Sequence, residues 1–512
     1  MTRQGLSRRL MLKRTALVLG GISGSAILAA CGGSQPPPKP AESSKPAAEA
    51  AKPAAPAAAA QPTAAPAAPA AAAKPTEAPA AAAKPAAGTQ VVTVRDHDWI
   101  QGTPGQPNDW YDKFIGDWEK ANPTIKIERE WFPRAEMHAK ELALAATGQI
   151  GDTVRIDVAP KVSELQLKKV VHDLDSLWKD DKEWVDKDQK QFWTGNIRTY
   201  TREGKVWGLP VVGHPGNVQY YINRTMIEKA GLKVPPADGN WTYEDLMTIS
   251  KGLTKSEGGR TTVFGYLPGL SDTTANEYIV GMLRAFGGDL FDADGKKSLL
   301  NTPESIQALK VIADLYKAGV CYPWAADIQA QRPGLFQGQK VAIMTMTSAA
   351  AASWPDQIAK LPEKFEMEVI PNPLGTTGKH ATQVSSDGKG VSATTKNPAQ
   401  AWTVLSRVFT SRQHGIERFS NGLGSPGSRN DVWDSDEFRQ RAPKLQNIAK
   451  YLVLPPSPEM PAWHHPANGR FAEHEPILLN EFIKVTLGQL DVEKYAQDVN
   501  KQIQEILDKP LV

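Results

Sequence analysis

Several residue groups in this chain have the types and spacing that invite chemistry. His464, His465 and His474, with Glu473 and Glu475, offer imidazole and carboxylate together, yet the spacing is not His-Glu-x-x-His or another helical ligand pattern. A loop that meets a ligand, followed by a solvated face, is the expectation there. Asp292-Ala293-Asp294-Gly295 opens like a calcium loop but lacks the third acid and the closing Glu, which leaves a turn. Gly422-Leu423-Gly424-Ser425-Pro426-Gly427 has the spacing of a dinucleotide cradle. No strand precedes it, and Pro426 would break the helix that must follow, so it reads as a loop after a helix. Tyr220 and Tyr221 could ligate ferric iron together only if both rings met one site, and alternation along a strand sends them to opposite faces. No G-x-S-x-G or Cys/His nucleophile pattern occurs, and no carboxylate pair for glycoside hydrolysis can be read from spacing. No catalytic residue, metal or cofactor is therefore assigned.

Cysteine and charge narrow the classes further. Only Cys31 and Cys321 are present, and Cys321, inside Gly319-Val320-Cys321-Tyr322-Pro323, reads as a small buried apolar residue rather than a reactive thiol. An intrachain disulfide is not expected, so the fold must rest on its core. The formal net charge is +3. Its positive part sits in the start segment, where Arg3, Arg8, Arg9, Lys13 and Arg14 have no acid among them, and in residues 35–88, which carry more Lys than Glu. Residues 89–512 are mildly acidic and show no basic stripe, which argues against nucleic acid as a partner.

The first 88 residues read as an address, an anchor and a tether. A basic stretch from Arg3 to Arg14 precedes an apolar, small-residue run from Thr15 to Ala30, the layout of an export signal. That run is shorter than the roughly 20 residues a membrane-spanning helix needs. Leu28-Ala29-Ala30-Cys31 resembles a lipobox, which implies that Cys31 is lipidated and that residues 1–30 are removed. Ser7-Arg8-Arg9-Leu10-Met11-Leu12-Lys13 resembles a twin-arginine export motif, with Met11 where an aromatic is commoner. Residues 35–88 are almost entirely Ala, Pro, Lys, Glu and Ser, with nothing to form a core. Recurring Pro favours extended segments of about 3.1 Å per residue, so residues 31–88 form a disordered tether with a reach on the order of 100 Å.

Beyond residue 88 the apolar pattern alternates between periods of two and 3.6. Val91–Val94 and Ile125–Trp131 read as strands flanking a helix with Trp110, Phe114 and Trp118 on one face, and a helix over 134–147 and a strand near Val154–Val158 continue the series. Further strands are expected at Val206–Val212, Asn217–Ile222, Lys340–Met344 and Glu366–Ile370. Helices are expected to dominate from Thr242 to Lys317 and again over the last hundred residues. This is an α/β pattern with a sheet covered on both faces, and the length calls for two lobes.

The order of motifs resembles the bacterial extracellular solute-binding proteins of the sugar-binding, maltose-binding-like kind. The resemblance is carried by Trp118-Glu119-Lys120-Ala121-Asn122-Pro123 and by Gly208-Leu209-Pro210 ahead of Tyr221-Ile222-Asn223-Arg224. Trp241-Thr242-Tyr243-Glu244-Asp245-Leu246, Gly338-Gln339-Lys340-Val341-Ala342-Ile343-Met344 and Asn397-Pro398-Ala399-Gln400-Ala401-Trp402 continue it. It covers residues 90–510 and implies a two-lobe periplasmic-binding-protein-like fold, with hinge crossings around a ligand cleft. The crossings are placed near Pro210–Asn217, Val384–Val391 and Lys444–Leu452. Lobe one is then 89–213 with 391–445, and lobe two is 214–390 with 446–512. The implied protein is a monomer held by lipid on the outer side of the cytoplasmic membrane, handing a small polar solute to the permease of an ABC importer. A lipid-anchored polysaccharide hydrolase or lyase, or a binding protein for a non-sugar solute, is the alternative.

A sugar presents hydroxyls and flat C–H faces, so its site needs polar side chains and aromatic rings at strand ends. The candidates are Asp98 and Trp99 after the first strand, Trp131 and Phe132 after the second, and His214 and Asn217 at the first crossing. Trp354 follows the strand at 341–345, Ser385, Ser386 and Asp387 lie at the return crossing, and Trp463 and His464 precede the C-terminal helices. For Trp99, Trp131, Trp354 and Trp463, ligand contact and lobe packing are both open. Trp110, Trp118, Trp178, Trp184 and Trp402 read as core. The resemblance would put an aromatic where this chain has Thr347-Ser348-Ala349-Ala350-Ala351-Ala352, so Trp354 is the candidate replacement.

Overall fold

The structure is a computed structural model that describes residues 90–99, 109–157, 161–214, 219–271, 275–381, 384–421, 425, 427–445, 448 and 470–510. The signal segment, Cys31, the tether, the glycine-rich run at 422–424, Asn217, Trp463 and His464 lie outside the described residues.

Two five-stranded sheets carry the body. Their strands are β1 (Val92–Asp98), β2 (Ile125–Trp131), β3 (Thr153–Ile156), β4 (Leu209–His214), β5 (Gln219–Asn223), β6 (Lys255–Glu257), β7 (Arg260–Leu267), β8 (Val341–Met346), β9 (Met367–Pro371) and β10 (Ser385–Val391). The first sheet has the order β2-β1-β3-β10-β4 and the second β9-β5-β8-β7-β6. Strands β1, β2 and β3 run parallel, whereas β10 pairs antiparallel with β3 and β4. The helices that matter below are α1 (Asp109–Ala121), α2 (Arg134–Ala146), α3 (Tyr243–Leu253), α4 (Ala275–Ala285), α5 (Pro303–Lys317), α6 (Arg412–Ser420), α7 (Phe471–Thr486) and α8 (Val492–Leu507).

Local chemistry fixes the helix starts. Thr242 caps α3 with its side chain on the Asp245 amide while the Asp245 carboxylate returns to the Thr242 amide, so two otherwise unpaired amides are satisfied. Thr302 and Pro303 begin α5, and the Asp491 carboxylate caps α8. Leu246, Ile249 and Leu253 on α3 share the apolar spacing that turns one face inward.

One core fills the first sheet's surroundings, with Val94, Tyr111, Ile127, Val154 and Ile156 among Trp178, Trp184 and Trp402. Trp110 and Trp118 are only half-buried at its edge, because the fully buried face of α1 is Tyr111 and Ile115. The second sheet separates two further cores. Tyr220 and Ile222 enter the one built with α4, α5, α7 and α8, whereas Tyr221 enters the one built around Trp354, Phe419 and Trp433. The two tyrosines thus face opposite sides, as strand alternation requires.

Three expectations are corrected. Residues 255–267, expected within a mainly helical stretch, form the hairpin β6–β7, turned at Gly258-Gly259 with both glycines at positive φ; such a pair suits the twist of a tight hairpin. Strand β10 lies wholly in the first sheet, so the return crossing comes ahead of Ser385 rather than within Val384–Val391. The segment assigned to lobe one through residue 445 is divided. His414 packs on Tyr111 and Phe409 of the first core, but Phe419, Trp433, Phe438 and Leu445 pack with Val369 of β9, and Lys444 pairs with Glu368 at 2.7 Å. Apolar spacing shows that these residues are buried without showing which core takes them.

Candidate ligand site

The carboxyl ends of the parallel strands β1 and β3 gather at one edge of the first sheet, where α/β sheets usually bind ligands. Because β10 is antiparallel, its amino end joins them, with Gly388 opposite Ile156 and Lys389 opposite Arg155. Alternation then puts Asp96, Asp98, Arg155, Asp387 and Lys389 on one face. That face is ionic. Lys389 Nζ lies 2.6 Å from Asp96 and 3.1 Å from Asp98, and it donates to the His97 carbonyl at 2.7 Å. Arg155 lies 3.6 Å from Asp98 and 3.3 Å from Asp387. Arg134, at the start of α2, reaches Asp157 at 2.9 Å and Asp387 at 3.4 Å, and Lys161 meets Asp157 at 3.2 Å.

These groups leave water in graded fashion. Asp96, Asp98, Arg155 and Lys389 have no exposed side-chain surface, whereas Arg134 keeps 44%. Burial lifts Asp96 to about 6 against the pull of Lys389. Burial opposes ionisation of Asp98 too, but Lys389 and Arg155 prevail and hold it well below the usual carboxylate range. Burial also raises Glu141, which accepts the Arg155 amide at 2.6 Å from α2. The arrangement offers fixed carboxylates and guanidinium groups along one edge, the inventory that exchanges hydrogen bonds with hydroxyls.

The sequence candidates fare unequally. Asp98 and Asp387 belong to this lattice. Trp99 stands beside it, with the Arg134 and Arg155 guanidinium carbons 4.8 and 5.3 Å from its ring centre, so its π surface already engages cations. Ser386 is buried, its hydroxyl 3.2 Å from that of Tyr200. Ser385 and His214 pair through their backbones where β10 meets β4. Trp131 packs on Tyr111 and Arg129, and Phe132 is buried edge-on to His97; both serve lobe packing. Trp354 is 4% exposed and stacks on Phe336 at 5.3 Å inside the third core, so the expected replacement platform is a core ring.

Arg134, Arg155, Asp157 and Lys389 escaped the sequence reading. The usable signal was charge at period two within two short segments, Asp96-x-Asp98 and Asp387-x-Lys389.

Among the described residues no group of His, Cys, Asp and Glu is placed to hold a metal ion. Asp292 closes a turn by accepting the Lys296 and Lys297 amides, and His474 is buried against Phe291 and Phe471. Cys321 is a free, buried thiol whose ionisation burial opposes.

His414, on α6, gives a pH test. Burial lowers it to about 3, so the unfolded chain takes up a proton near pH 6.5 that the folded chain refuses until far lower pH. Its contribution to stability therefore falls as pH drops below 6.5, by up to about 1.4 kcal/mol per pH unit. Relative to wild type, His414→Phe is expected to gain stability by that slope between pH 6.5 and 4 in paired thermal melts. Parallel profiles would show that His414 is protonated within the fold.

Comparison with known proteins fits this architecture. An arabinooligosaccharide-binding protein of Bacillus subtilis is 22% identical over 347 residues, 66% of this chain and 74% of that protein. Among solved structures, an ABC substrate-binding protein of Listeria monocytogenes in complex with cycloalternan superposes with a TM-score of 0.66 at 20% identity, covering 81% of this chain and 99% of that one. A maltose-bound protein of T. maritima gives a TM-score of 0.66 at 19% identity over the same shares. The fold is therefore the two-lobe α/β fold of those proteins. The family model of bacterial extracellular solute-binding proteins matches residues 113–447, most of the sequence, and the chain belongs to that family.

Proposed function

We propose that this protein captures a saccharide outside the cytoplasmic membrane and delivers it to the permease of an ABC importer, without altering it chemically. The observation that carries this reading is the row of fixed carboxylates and guanidinium groups at the carboxyl ends of β1 and β3, in a fold whose relatives bind oligosaccharides by name. Each strand-end carboxylate is tied to a cation, which suits hydrogen bonding to hydroxyls better than proton transfer. The family is extracytoplasmic, and among the described residues no helix is long and apolar enough to cross a membrane. Retention at the membrane falls to Cys31.

A thermal-shift screen of the full-length protein against neutral and charged oligosaccharides tests the capture step. A ligand at 100 times its dissociation constant stabilises by about 2.7 kcal/mol, and the radius of gyration should fall as the lobes close on it. Products appearing from labelled oligosaccharides would overturn the reading in favour of a hydrolase or lyase. Cys31→Ser is expected to move the protein from the membrane fraction to the soluble one; a variant that stays with the membrane would show that another element anchors it.

A further inference from the structure

Arg418 on α6 is 2% exposed, and among the described residues it makes no hydrogen bond or ion pair. Its Nε and Nη1 are both buried without a partner. The groups that act on it electrostatically are Arg155, Asp98, Tyr111 and Asp387, which places it at the ionic edge of the first sheet. Neighbouring donors are unsatisfied as well: Arg155 Nε and Nη1, the Tyr111 hydroxyl and Trp99 Nε1 are buried and unpartnered by hydrogen bonds. The acceptors left without a hydrogen bond nearby, Asp96 Oδ2, Asp98 Oδ2 and Glu141 Oε2, lie under the charge of Lys389 or Arg155, whereas the Arg418 donors have no such compensation.

Charge accounting agrees. Asp96 and Asp98 hold Lys389, Asp98 and Asp387 hold Arg155, and Asp157 holds Arg134 and Lys161. Of the cations at this edge Arg418 is the one that, among the described residues, has no carboxylate within ion-pair distance. Two carboxylates of the other lobe reach this edge, but Glu277 acts on Arg134, and Glu475 is set against Lys161 and Asp157; neither is among the groups acting on Arg418. His414, one turn earlier on α6, is held neutral by burial. Asp98 and Asp387 act on Arg418 only at a distance, and a buried guanidinium with no direct ion pair is costly to folding. Its planar fork is shaped for a two-oxygen anion.

We propose that the saccharide carries a single anionic group, the carboxylate of a uronic acid residue or a sulfate ester, and that Arg418 and Arg155 receive it. This rests on the saccharide-binding reading above and names the substrate class for that same site. The anion completes the lattice and takes up the spare donors. The remaining hydroxyls meet Asp387 and Asp157, which keep some exposed surface.

The test compares the full-length protein with Arg418→Met and Arg418→Lys. Titrations use digalacturonate, its carboxyl-reduced neutral counterpart and a sulfated disaccharide as probes, read by calorimetry at two salt concentrations. Wild type is expected to bind an anionic probe at least tenfold more tightly than the neutral one, with the preferred probe distinguishing carboxylate from sulfate. Arg418→Met should abolish the preference, and Arg418→Lys should keep part of it. Without ligand, Arg418→Met should melt above wild type, because an unpaired buried charge has been removed. A lower melting temperature for Arg418→Met together with equal binding of neutral and anionic probes would make Arg418 a structural cation, leaving the saccharide reading intact. Failure of every saccharide to bind, with Arg418→Met melting below wild type, would overturn both.

Discussion

Lys389→Ala is expected to destabilise the protein by about 3–5 kcal/mol, the usual result of removing one partner from a buried ion pair. Lys389 has no exposed side-chain surface and is in contact with two carboxylates equally shielded from water, Asp96 and Asp98. Its ammonium also lies 4.4 Å from the centre of the Phe409 ring, so truncation removes a cation–π contact along with the ion pairs. The loss should depend on pH. Without the ammonium, burial at Asp96 is opposed by no cation and its carboxyl is raised further above its unfolded value, while Arg155 still holds Asp98 down, so the folded state binds more protons and the variant recovers stability as pH falls. Melting temperatures of wild type and variant at pH 8 and pH 5 provide the measurement, and a gap that is small or independent of pH would show that the aspartates are screened by water.

Gly265→Ala should cost about 3 kcal/mol or more, at the upper end of what overpacking a close-packed interior costs. A Cβ there would fall 2.2 Å from the carbonyl oxygen of Ser250 and 2.4 Å from its Cα. Those atoms are backbone of α3, so no side-chain rotation relieves the clash and the helix must lift from β7. The same lift would disturb Leu246, Ile249 and Leu253, which this helix buries. A melting temperature within a degree of wild type would show that α3 rests less closely on the sheet than the structure places it.

How much the sequence discloses depends on how each feature is encoded. Helix starts at Thr242 and Thr302 carry local signatures, and β5 announces itself by apolar content, so these elements are legible without the fold. The hairpin β6–β7 was legible in principle, since Gly258-Gly259 sits between polar and β-branched runs, but the neighbouring helices dominate the pattern. Asp98 and Asp387 could be nominated from their place at strand ends. Arg418 could not, because its significance lies in having no partner, and absence of a partner is a property of three-dimensional surroundings. Trp354 misled for the opposite reason. An aromatic after a strand suits a ligand platform and a core equally, and only Phe336 beneath it decides.

The placement of β10 has a consequence for the order in which the protein matures. Asp96 and Lys389 are separated by 293 residues, and the first sheet cannot join β3 to β4 until β10 is inserted between them. Every strand of the second sheet lies within Gln219–Pro371, so that sheet can be complete while the earliest strands still wait. Closing so long a loop makes the first lobe the slow step. Until it closes, Asp96 and Asp98 lack their ammonium, and a half-built first sheet carries charges that burial would penalise. The amino-terminal lobe is therefore expected to close only when this late strand arrives, which makes the strand its lock.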